Sequence, residues 1–83
     1  MITKDCIETA YCFFHQKWRV YSMSHNETQK EDIEYAIRSY VENMDKSLYA
    51  EISDGNADFL MSHKSFVWDM PQAIERLERM MME

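Results

Sequence analysis

Three histidines, two cysteines and fifteen carboxylates are the side chains of this 83-residue sequence that could carry chemistry. Cys12 and His15 stand three apart, a spacing that places two ligands on one side of a helix. Zinc needs four ligands, or three and a water, and Cys6, His25 and His63 supply none at zinc-finger spacing. The expectation is therefore Cys12 as a small core residue, His15 as a solvent-facing one, and no metal. Cys6 and Cys12 on one helix lie about 240° apart around its axis, too far for a bridge. Both are expected as reduced thiols of a cytoplasmic protein.

The tripeptide Met-Ser-His occurs at 23–25 and again at 61–63, but the flanking residues do not align and no repeat follows. Ser24–His25 and Ser62–His63 are adjacent pairs whose side chains diverge, and no third group is marked to orient a base. They read as surface loop residues. Most carboxylates have structural roles at caps or in i,i+4 pairs, Glu31, Glu34 and Glu42 among them. No acidic pair sits in an apolar frame that would separate two pKa values for acid–base work. GxGxxG, P-loop and HExxH motifs are absent. The expectation is no catalytic residue, no cofactor and no enzyme.

The elements that must position these side chains read as helices. One glycine and one proline in 83 residues cannot furnish the turns of an all-β fold. Thr3 caps a first helix over residues 4–23, in which Ile7, Tyr11, Phe14, Trp18 and Tyr21 draw one apolar stripe. Cys6, Ala10, Phe13, Val20 and Met23 form a second row beside it. After the polar break at 22–32, Thr28 and Glu31 match a capping box that starts a helix over 29–43. Ile33, Ile37, Tyr40, Val41 and Met44 are its expected buried face. Lys30–Glu34, Glu34–Arg38 and Arg38–Glu42 are the i,i+4 pairs of its solvent face.

Two readings compete over residues 48–67. Strands around the Asp54-Gly55 turn would make a hairpin and an α+β fold. Alternatively Asp45 caps a short helix with Leu48, Tyr49 and Ile52, stopped by Gly55 in the left-handed position and followed by a helical turn near 59–61. Leu48 and Ile52 are four apart and alternation is poor, which favours the helix. Asp69 then reads as the cap of a last helix with Pro71 in its first turn. Ile74, Leu77 and Met81 form its stripe, flanked by Met70 and Ala73. The expected fold is a single domain over 1–83, an all-α bundle of three long helices plus one or two short helical segments.

The stretch AYCFFHQKWRVY at 10–21 concentrates aromatic and basic side chains. Stacking platforms for single-stranded nucleic acid combine aromatics with a positive groove. Here the net charge is −6, and it is uneven. Residues 1–30 hold four basic against three acidic side chains, whereas residues 31–83 hold five against twelve, a balance of −7. Such a chain repels phosphate backbones, so binding through 11–21 is the least favoured reading. The start MITKDCIETA lacks the pattern of a secretory signal, and no run is long enough to span a bilayer, so a membrane partner is not expected either.

What remains is protein. The second row of the first helix, with Trp18 and Tyr21, exceeds what two short helices cover, and uncovered apolar surface on a small protein marks an interface. Phe13, Lys17, Trp18, Val20, Tyr21 and Met23 are the interface candidates, for a protein partner or a second copy in a homodimer. The alternative is an acidic regulator, antitoxin-like or anti-repressor-like, that occupies a basic partner surface through residues 31–83. Eight methionines suit either adaptable core filling or a permissive interface.

Overall fold

A computed structural model describes residues 2–82 and contains four helices and no strand among them. They are α1 (Lys4–Met23), α2 (Glu27–Asn43), α3 (Lys46–Ser53) and α4 (Phe66–Met82), so the chain is an all-α bundle and the hairpin reading is not favoured. Its extents are 37 × 23 × 19 Å.

The first helix begins where the Thr3 hydroxyl accepts the Cys6 N–H at 3.2 Å. The start of α2 departs from expectation. Asn26, not Thr28, is the cap: its Oδ1 accepts the N–H groups of Thr28 at 2.9 Å and Gln29 at 3.3 Å. The Ser24 hydroxyl accepts the Asn26 N–H and donates to Gln29, fixing the approach. Asparagine caps at least as well as threonine, and capping two residues earlier lengthens the helix. Replacing Asn26 with Ala should therefore cost about 1 kcal/mol in a urea titration, and Thr28→Ala measurably less.

Asp45 caps α3 as expected, accepting from Ser47 at 2.8 Å and Leu48 at 3.1 Å. The helix is stopped by two left-handed residues, Asp54 (φ 52°) and Gly55 (φ 82°). Overlapping turns then carry the chain through 56–61, with Leu60 also left-handed at φ 63°. The turns near 59–61 do not extend into a helix.

The last helix also starts earlier than the sequence suggests. The Ser65 carbonyl accepts from Trp68 at 3.0 Å and Asp69 at 2.8 Å, so α4 opens at Phe66 and Asp69 lies inside it rather than capping it. Two forces outweigh the cap. Starting at 66 puts Phe66, Met70, Ala73 and Leu77 on one buried stripe at steps of 4, 3 and 4. The Asp69 carboxylate is also needed elsewhere, accepting the buried Leu60 N–H at 2.9 Å. Pro71 consequently sits past the first turn, and the Val67 carbonyl it cannot serve belongs to an exposed residue that water reaches.

The core is built from Ile7, Ala10 and Phe14 of α1, Ile33, Ile37 and Val41 of α2, Leu48 and Ile52 of α3, Phe59 and Leu60 of the following loop, and the α4 stripe. The buried face of α1 is thus rotated from the expected stripe: Ala10 is fully enclosed, while Tyr11, Trp18 and Tyr21 are half-buried. Cys12, expected in the core, is exposed instead, because it lies about 200° around the helix from Ala10. The largest interhelical contact joins α1 and α4. Tyr21 near the end of α1 meets Phe66 at the start of α4, so the two helices run in opposite directions.

Candidate protein-interaction site

The six interface candidates divide into two groups. Phe13 is half-buried and stacks on Tyr40 of α2, centroids 4.5 Å apart and planes 15° from parallel. Lys17 lies with its ammonium 5.6 Å from the Phe13 centroid. Trp18 stacks on Tyr21 at 5.6 Å, and Tyr21 leans on Phe66 at 5.1 Å. These four side chains are engaged within the chain. Val20 and Met23 are not: they are 40% and 71% exposed.

The packing leaves its mark on the tyrosines. Burial, aided by the carboxylates of Glu34 and Glu27, raises the Tyr21 hydroxyl above its ordinary pKa. Burial first and the neighbouring Cys6 second raise Tyr40. Tyr49 is raised by burial and then by Asp58 and Asp69, and its hydroxyl donates to the Phe59 carbonyl at 2.7 Å.

Sequence reasoning missed three exposed side chains. Trp68 is 73% exposed, Val67 is 48% exposed and Tyr35 on α2 is 72% exposed. Val67 and Trp68 follow Phe66 directly, while Val20 and Met23 flank Tyr21, so the Tyr21–Phe66 contact places all four at the same end of the α1–α4 pair. Trp68 was hidden because the helix start was expected at Asp69. With Phe66 inside α4, the 66–70–73–77 stripe turns residue 68 about 200° away from the core.

Glu34 departs furthest from expectation. It is not part of a solvent face but 2% exposed, and its Oε1 lies 2.7 Å from Nδ1 of His63, a loop residue whose side chain is 77% exposed. The i,i+4 pairs of Glu34 do not form; Lys30 instead lies over the Tyr21 ring. An i,i+4 pair does form on α4, between Glu75 and Arg79. Glu34 and His63 border a cleft of about 530 Å³ with Glu31, Asp32, Tyr35 and Arg38. A buried carboxylate holding one imidazole nitrogen orients the ring, and none of the described residues lining the cleft is a serine, threonine or cysteine.

Among the described residues no three histidine, cysteine or acidic side chains converge on a possible metal position. His15 is exposed and stacks on Tyr11 at 5.6 Å. The Ser24 hydroxyl is bonded to Asn26 and Gln29, not to His25. No described helix is long and apolar enough to cross a membrane.

Fold and surface together define a small four-helix bundle with Val20, Met23, Val67 and Trp68 uncovered toward one end of the α1–α4 pair, and Tyr35 and Met82 uncovered elsewhere. No family model matches the chain, and comparison with curated proteins and with solved structures yields no match.

Proposed function

We propose that this chain is a small cytoplasmic, non-enzymatic protein-interaction module that associates with a second copy of itself through the end of the α1–α4 pair. Nucleic acid, membranes and cofactors have no part in this reading. The observation that carries it is Trp68, a large aromatic side chain turned outward at the end where Val20, Met23 and Val67 are also uncovered. Tryptophan is the residue type most enriched at interface hot spots, and methionine adapts to the surface it meets. Trp18 and Tyr21 support this end from within the chain, while Phe13, with Lys17 over its ring, packs farther back along α1 against Tyr40.

Replacing Trp68 with Glu should weaken self-association at least about tenfold, as measured by sedimentation, with unchanged helix content in circular dichroism. Association undiminished in that variant would remove Trp68 and this end from the interface.

A second reading is the acidic regulator, supported by Glu31 and Asp32, which line the cleft beside the exposed ring of Tyr35. Its partner would carry a basic surface. The two readings separate by salt: binding to a basic partner weakens as ionic strength rises, whereas apolar self-association does not.

A further inference from the structure

The four helices are not equally secured. Helices α3 and α4 and the loop between them are cross-linked: Arg76 donates to the Ile52 carbonyl, Tyr49 to the Phe59 carbonyl, and the Leu60 N–H to Asp69. The extensive contact between α1 and α4 adds α1 to that unit. The contact of α2 with α1 is less extensive than that of α4, and α2 touches α3 and α4 only slightly. It brings three apolar side chains to the core, Ile33, Ile37 and Val41. Its flanks are open, with a groove of about 310 Å³ against α1 and another of about 280 Å³ against α3 and the loop.

Among the described residues, one side-chain hydrogen bond joins α2 to the cross-linked unit, and it is Glu34 to His63. The others made by α2 side chains stay inside the helix or reach Ser24 in the turn before it. The geometry is that of a clasp. The carboxyl group is enclosed, so breaking the contact strands a buried polar group, while the imidazole comes from a loop fixed to α4.

We propose that α2 is a separately opening element and that the Glu34–His63 contact is the latch that keeps it closed. Opening leaves α1, α3, α4 and the loop docked, and it uncovers Phe13 and Phe14 on the α1 face that α2 covers through Tyr40. The inference does not depend on which surface meets a partner.

Amide hydrogen exchange on the whole chain tests it. His63 is exposed, so His63→Ala removes the latch without removing core. Amides of α2 beyond its first turn should exchange about tenfold faster in His63→Ala, with those of α1 and α4 unchanged. Glu34→Gln keeps the volume of the side chain and an oxygen that can still accept from His63, and should accelerate α2 alone by less. A uniform acceleration of all four helices would overturn the proposal, since α2 would then open only with the whole fold. Unchanged exchange in α2 would overturn it equally, because the contact would hold nothing.

Discussion

Phe14→Ala is expected to remove about 3–5 kcal/mol of stability, the range for deleting a fully buried phenylalanine from a close-packed core. Phe14 is wholly enclosed on α1, and its ring meets Phe13 and Tyr40 edge-on, at 6.1 Å and 5.5 Å. An 83-residue domain has a total stability of only about 4–12 kcal/mol, so this one substitution consumes much of it. A urea titration followed by circular dichroism would show the midpoint collapse. The neighbouring Phe13→Ala should cost distinctly less, because Phe13 is half-buried and loses mainly its stack on Tyr40. Equal losses at the two positions would mean that the aromatic stretch of α1 is buried on both rows, contrary to the packing described.

The second large effect is expected at Asp69. Its carboxylate accepts the buried N–H of Leu60, a residue held in the left-handed region at φ 63°. Without that acceptor the N–H is stranded, at about 1–3 kcal/mol. Asp69→Ala should therefore cost about 1–3 kcal/mol. Asp69→Asn keeps an acceptor oxygen and should recover roughly half of that loss. Comparison of the two urea midpoints checks it. A loss in Asp69→Ala no larger than in an exposed-site variant would mean the loop does not depend on this bond.

Much of the fold is legible in the sequence because local chemistry decides it. Thr3 has no rival as the cap of α1, and Asp45 has none for α3, so those starts are readable directly. The scarcity of glycine and proline excludes sheet-rich alternatives, and the 3–4 spacing of apolar residues marks the long helices. Where two caps compete, local chemistry is not enough. Thr28 with Glu31 makes a better motif on paper than Asn26, but Asn26 lies earlier and is steadied by Ser24, an arrangement visible only in three dimensions.

Asp69 illustrates a different failure. An aspartate before Met-Pro resembles a cap until its carboxylate is claimed by a loop amide nine residues back. That displacement of the helix start is also what concealed Trp68 as a surface residue. Glu34 is harder still. Flanked at four residues by Lys30 and Arg38, it carries the pattern of a solvent face, yet it stands three before Ile37 and thus beside the buried stripe. Its partner, His63, lies twenty-nine residues away, and only tertiary folding brings them together. Of the candidates on α1, Val20 and Met23 stand uncovered, whereas Phe13 turns to Tyr40 and Tyr21 to Phe66.

The most direct test of the proposed function is sedimentation equilibrium on the purified chain over a wide concentration range. Self-association through the end that carries Trp68 and Met23 predicts a dimer whose mass is twice the chain's 10.0 kDa. That dimer should persist as salt is raised, since apolar burial is not screened. A monomer at every concentration would contradict the account and shift attention to a foreign partner for the same surface.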